Sequence, residues 1–141
     1  MNNSIQYKKG YKYQLVEEYS IITNIKVNKE VKDSFINLQT DGLLIISSGY
    51  AWDGPSGPVL DTKHNLRGAL VHDAFYQLLR KGVWNLDECE SVRKSADVIF
   101  RKICIEDGVF KLIAYIYYWG VRIGAKFASD PKNKRRILVA P

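Results

Sequence analysis

The sequence predicts an α+β domain, an N-terminal antiparallel β-sheet followed by three packed α-helices. Three observations carry that prediction. The first fifty residues hold short β-rich runs split by polar breaks, the chain from Asn65 onward switches to helical periodicity, and the ten residues Gly49 to Pro58, with three Gly and two Pro, separate the halves. A single domain follows, with residues 1–48 mostly β, 49–64 a Gly/Pro-rich loop, 65–127 three helices and 128–141 a basic tail.

The β half contains runs at Tyr11 to Val16, Ile21 to Val27, Phe35 to Leu38 and Leu43 to Ser47. Ile21, Thr23, Ile25 and Val27 alternate with polar neighbours, the period-two pattern of a half-buried strand. Thr40-Asp41-Gly42 lies between two runs and reads as a hairpin turn, because Gly accepts a positive φ and Asp tolerates it unusually well.

In the helical half, residues 65 to 81 are apolar almost all round and end at Lys81-Gly82, which predicts a central buried helix. Asp87 with Glu90 fits a capping box. Behind it Cys89, Val92, Ala96, Ile99 and Ile103 share one stripe, and Asp107-Gly108 is a stop, so a helix is expected from 87 to 106. The third helix is expected over 109–127. Its Gly120 and Gly124 are one turn apart and would admit a close backbone neighbour. The tail that follows puts four cations into the five residues Lys132 to Arg136.

Composition narrows the function. The chain has 141 residues, 46% hydrophobic and 26% charged, a globular balance that argues against disorder, collagen-like repeats and coiled coil. Only Cys89 and Cys104 occur, too few for a disulfide scaffold, and without a CxxC or Cys/His cluster they read as reduced structural thiols, as in a cytoplasm. The first residues lack a secretory pattern, and the most apolar stretch, Lys111 to Arg122, is about half the roughly twenty residues of a bilayer span. No membrane span is therefore expected. A net charge of +6 and a pI of about 9.3 favour anionic partners, and the basic tail could contact nucleic acid. The sequence has no P-loop, GxSxG, HExxH or GxGxxG.

Three segments carry candidate chemistry. The loop offers Trp52, Asp53 and Ser56 among residues with little helix or strand propensity. His72-Asp73 lies in the apolar central helix, where an ionisable pair needs a partner, and helical spacing brings His72, Asp73 and Tyr76 within an arc of about 100 degrees. Asp97 on the second helix, one turn from both Arg93 and Arg101, forms a surface ion pair or points at His72 and Asp73. Converging on one pocket, His72, Asp73 and Asp97 are a ligand set for Mg²⁺, Mn²⁺ or Zn²⁺. The order His64, His72-Asp73, Asp97 is similar to that of metal phosphohydrolases with a His-Asp doublet, with a compressed spacing.

Four ordered motifs between Gly49 and Gly124 resemble a phage- and prophage-associated family, domain-of-unknown-function family 1353. They are the loop Asp53-Gly54-Pro55-Ser56-Gly57-Pro58, the helix Ala69-Leu70-Val71-His72-Asp73-Ala74-Phe75-Tyr76, the helix Arg93-Lys94-Ser95-Ala96-Asp97-Val98-Ile99-Phe100, and Tyr118 to Gly124. The resemblance implies a phage context, a bacterial host cytoplasm and site candidates Asp53, Ser56, His72, Asp73, Tyr76, Arg93 and Asp97. His64 lies outside the pattern.

Three functions remain open from these residues. The first is a metal-dependent hydrolase of a small anionic nucleotide or phosphoester, with His72, Asp73 and Asp53 catalytic, His72, Asp73 and Asp97 on the metal, and Trp52, Ser56, Tyr76 and Arg93 on the substrate. The second is a non-catalytic phage protein that sequesters a nucleotide signal of host defence in the same pocket. The third is a structural or partner-binding protein whose His-Asp cluster locks the fold.

Overall fold

The computed structural model describes residues 3–8, 13–54 and 61–129. Strands fill the N-terminal part and helices the rest, as the α+β reading expects. The strands are β1 (Tyr7–Lys8), β2 (Tyr13–Leu15), β3 (Tyr19–Ile22), β4 (Val31–Lys32), β5 (Ile36–Leu38), β6 (Leu43–Ile46) and β7 (Ala51–Trp52). They form two antiparallel sheets, ordered β1-β2-β7 and β3-β6-β5-β4. The helices are α1 (Leu66–Arg80), α2 (Leu86–Glu106) and α3 (Lys111–Ser129).

Local chemistry explains where the expected elements hold and where they shift. The β5–β6 hairpin turns at Gly42, whose φ is +93°, while the Leu43 N–H donates to the Asp41 carboxylate at 3.0 Å. The strand expected over Ile21 to Val27 stops at Ile22. There the Thr23 hydroxyl donates to the Gly42 carbonyl at 2.9 Å and accepts the Ile25 N–H, a local turn that replaces the ladder. Its alternation survives as burial, since Thr23 and Ile25 are buried between exposed neighbours. Trp52, expected in a loop, lies in β7, pairs with Tyr13 of β2 and is buried.

The cap of α2 lies two residues before the expected Asp87: Asn85, in extended conformation, is the N-cap, and the Glu88 carboxylate accepts its N–H at 3.1 Å. The buried face of α2 is also turned from the expected stripe. It runs through Arg93, Ala96, Asp97, Phe100, Ile103 and Cys104, so two ionisable residues point inward. Gly82 and Gly108 take positive φ at the stops after α1 and α2, as expected. In α3, no atom of the described residues stands within 4 Å of where a Gly124 Cβ would be, so they make no close approach at that glycine. It occurs instead at Gly68 of α1, where a Cβ would meet Phe100 Cδ2 at 3.0 Å and Cys104 Sγ at 3.2 Å.

Arg67, buried at the start of α1, joins both halves of the chain. Its guanidinium donates to Asp107 and Glu106 beyond and at the end of α2 and to the Tyr19 hydroxyl of β3, all within 3.1 Å. The core is continuous, from Leu15, Ile36, Leu38, Leu44 and Ile46 of the sheets to Leu70, Phe75, Leu78 and Phe100 of the helices. Because α1 and α2 touch through Gly68, Gly68→Ala should lower stability by about 1–2 kcal/mol despite alanine's better helix propensity. An unchanged denaturation midpoint would show that the two helices separate freely.

Candidate functional site

The central polar group is the Asp97 carboxylate, with no solvent exposure. Oδ1 accepts from His72 Nε2 at 2.7 Å and from the Tyr76 hydroxyl at 2.6 Å, both on α1. Oδ2 accepts from Arg122 Nη1 of α3 at 3.0 Å, and Arg93 Nη1 lies 3.9 Å away. His72 and Tyr76 are one turn apart on α1, so their polar ends reach the same oxygen and their rings stack at 4.1 Å between centroids. Glu90 extends the group by pairing with Arg93 and, at 2.5 Å, with Arg122. A second Arg93 bond, to the Arg122 carbonyl at 3.2 Å, locks α2 against α3.

An ionised Asp97 has no proton to donate, so the bond at Nε2 assigns the hydrogen to that nitrogen and leaves Nδ1 of a neutral His72 as the acceptor. The nearest carboxylate to Nδ1 is Asp73, with Oδ1 at 3.9 Å, beyond hydrogen-bond reach. Asp73 is about a quarter exposed, whereas His72 is almost entirely covered. Burial alone would push the His72 pKa down, but the Asp73 and Asp97 carboxylates on either side outweigh it and hold it above the usual value. The Asp73 carboxyl is also pushed up, by burial first and in part by the charge of Asp53, against the opposing pull of His72.

On its other side α1 faces the β half. The Tyr50 hydroxyl donates to Gln77 at 3.3 Å, Gln77 donates to Asp33 at 2.8 Å, and Lys81 pairs with Asp33 at 2.5 Å. Asp53 is exposed just beyond β7, and the carboxylate of Asp61 sits against Gly54 while accepting from the Tyr13 hydroxyl at 2.8 Å. The start of the Gly/Pro loop is thus fixed to β2.

The structure brings His72, Asp73, Tyr76, Arg93 and Asp97 together, and Asp97 turns inward rather than forming a surface pair. The roles expected for several of them change. Tyr76 is buried and donates to Asp97, so it offers no stacking face to a substrate. Arg93 is buried and spent on Glu90 and the Arg122 carbonyl, so it cannot hold a substrate anion. Trp52 is buried against Tyr13, ring centroids 5.6 Å apart, and contributes to the core. Ser56 and the basic run from Lys132 lie outside the described residues.

The expected metal set His72, Asp73 and Asp97 does not open onto one point. Both Asp97 oxygens are taken by donors that already neutralise the charge, and among the described residues no three His, Cys, Asp or Glu side chains come close enough to hold a metal ion. His64 is remote from the cluster: its Nδ1 lies 2.6 Å from the Asp107 carbonyl. A cavity of about 300 Å³ opens at that end of α1, lined by Lys63, His64, Arg67 and Asp107 among others, and does not reach Asp97. Sequence reasoning missed Glu90 as a partner of Arg122 and missed Arg122 itself. The available signal was the arginine in Tyr118-Trp119-Gly120-Val121-Arg122, a cation within an apolar stretch of the helix.

Two outcomes test the arrangement. Asp97→Ala leaves an imidazole, a phenol and a guanidinium without their shared acceptor and should cost about 3–5 kcal/mol, with Asp97→Asn costing less. The second concerns pH. A histidine whose folded pKa is raised stabilises the fold fully below its unfolded pKa of about 6.5 and loses that contribution as pH rises through the folded value. The raised Asp73 carboxyl acts in the same direction from a lower starting pH. The urea midpoint should therefore fall between about pH 6 and pH 9, and His72→Gln should flatten the fall. A wild-type midpoint that rises over that interval contradicts the assignment.

Comparison of the chain with protein-family models, curated proteins and solved structures returned no match. These comparisons assign the chain to no family.

Proposed function

We propose that the protein is a hydrolase of an ester or phosphoester, with His72 as general base and Asp97 as the residue that positions it. One observation carries the reading. Asp97 fixes the imidazole through Nε2, while the opposite nitrogen makes no hydrogen bond among the described residues and faces the partly exposed Asp73 across 3.9 Å. A separation of 3.9 Å is too short to seat a water in line, but a single water beside the pair can contact both Nδ1 and the carboxylate.

The chemistry follows from the proton inventory. A neutral His72 takes a proton at Nδ1 from the water as its oxygen bonds to the acyl carbon or phosphorus, Asp97 at Nε2 stabilises the imidazolium, and the imidazolium returns the proton to the alkoxide expelled when the ester bond breaks. Tyr76 and Arg122 occupy the remaining lone pairs of Asp97 and keep it from turning away. Asp73 orients the water and faces the outside. No step is routed through a metal, because the donors expected for it are engaged with one another. Because the two flanking carboxylates raise the pKa of His72, the base form accumulates only at higher pH, and the rate should climb above the usual imidazole range rather than level off near 6.5.

A second reading has its own support: Asp97 is enclosed by side chains from α1 and α3, as a group that only locks the helices would be. The two readings separate in one experiment. p-Nitrophenyl acetate, p-nitrophenyl phosphate and bis-p-nitrophenyl phosphate are offered with and without Mg²⁺, Mn²⁺ or Zn²⁺, to wild type and to His72→Gln, whose amide can still donate to Asp97. The hydrolase reading expects turnover that drops about 10²-fold or more in His72→Gln while the thermal melt is largely kept. No turnover above buffer, or a variant as active as wild type, leaves the locking role.

A further inference from the structure

Helix α3 is apolar on two sides, and the described residues cover only one. Ala114, Tyr118 and Val121 pack inward. On the opposite side Leu112, Ile116, Trp119 and Ile123 follow at spacings of four, three and four residues, which places them in one line along the helix. Their exposures are 69%, 58%, 59% and 81%, and Phe110, just before the helix, is 81% exposed. A contiguous apolar ridge of this size on a folded domain marks an interaction surface.

Charge identifies the occupant. Residues 108–141 contain seven Lys or Arg and a single acid, Asp130, so the whole formal excess of +6 lies in these last 34 residues. The first 107 residues, with 14 charges of each sign, are neutral. No Asp or Glu occurs within α3. Lys111 opens the helix, and the guanidinium of Arg101 from α2 lies 4.3 Å from the ring centre of Tyr115, at the edge of the ridge. Apolar side chains including a tryptophan, with Lys111 and Arg101 beside them on a helix that contains no acid, match the headgroup boundary of an anionic bilayer. A second copy fits less well, because self-pairing through α3 would bring two segments of the same charge together.

We propose that α3 docks the protein on an anionic lipid surface, with Leu112, Ile116, Trp119 and Ile123 entering the interface and the net positive charge of the 108–141 sequence drawing it to lipid phosphates. The helix lies along the membrane; none of the described helices is long and apolar enough to cross one. The docking does not depend on the hydrolase chemistry of His72.

The test uses the full chain and vesicles of ether-linked lipids, which no esterase can cleave, so binding and turnover are read separately. Trp52 and Trp84 are buried, so a blue shift of tryptophan emission on mixing reports Trp119. We expect flotation and a blue shift with vesicles of mixed phosphatidylglycerol and phosphatidylcholine, at least tenfold weaker with phosphatidylcholine alone or at high salt. The double variant Ile116→Ser/Trp119→Ser, changed only at exposed positions, should keep its thermal melt and lose flotation at least tenfold. Absence of flotation, equal binding to neutral vesicles or undiminished binding by the double variant overturns the proposal. So does a dimer in sedimentation that the same variant dissociates, which would give the ridge to a second copy.

Discussion

A carboxylate with no access to water must be neutralised by its neighbours, and Asp97 imposes that condition on the helical half of the protein. Left alone, the ion would carry a desolvation cost of several kcal/mol. His72 and Tyr76 from α1 and Arg122 from α3 meet it with three hydrogen bonds, so the three helices cannot rearrange without exposing or orphaning a charge. The close approach of α1 to α2 at Gly68 serves the same geometry, because the 2.7 Å bond from His72 requires the two backbones to be near. Arg67 does the equivalent work at the other end of α1, binding the residues that close α2 and the first strand of the larger sheet.

This constraint also produces the only asymmetry in His72 that chemistry could use. One ring nitrogen is committed to the core through Asp97 and the other is directed toward Asp73, so a group needed for packing keeps one nitrogen outside the internal network. The neighbouring positions divide accordingly. Tyr76 completes the internal network, while Gln77, rotated about the helix axis, meets the β half through Tyr50 and Asp33. A helix apolar nearly all round thus carries polar residues on two of its sides, each tied to a different part of the fold.

The ends of the molecule differ in electrostatic character. The sheets, α1 and α2 balance their charges, largely through local pairs such as Asp33 with Lys81 and Glu90 with Arg93. From Gly108 onward the chain is cationic and its one described helix has an uncovered apolar ridge. Only the inner side of α3, through Arg122, is drawn into the Asp97 network. The outer side is left exposed by the described residues.

Patterns that depend on neighbours along the chain were legible in the sequence alone. The α+β order, the three helices, the Gly42 hairpin and the Gly stops at 82 and 108 follow from periodicity and from the φ that glycine permits. The importance of His72, Asp73 and Asp97 was legible too, because ionisable groups on apolar helices need partners. Tertiary structure decided who those partners are. Asp97 turned inward because α2 rotated its buried face toward Arg93 and Phe100, Arg93 and Tyr76 were consumed by internal bonds, Trp52 joined a strand, and Arg122 arrived from a helix 25 residues away. Sequence spacing fixes which residues share a side of one helix. Which side meets which helix depends on packing and charge neutralisation between elements distant in the chain, and these exist only once the fold has closed.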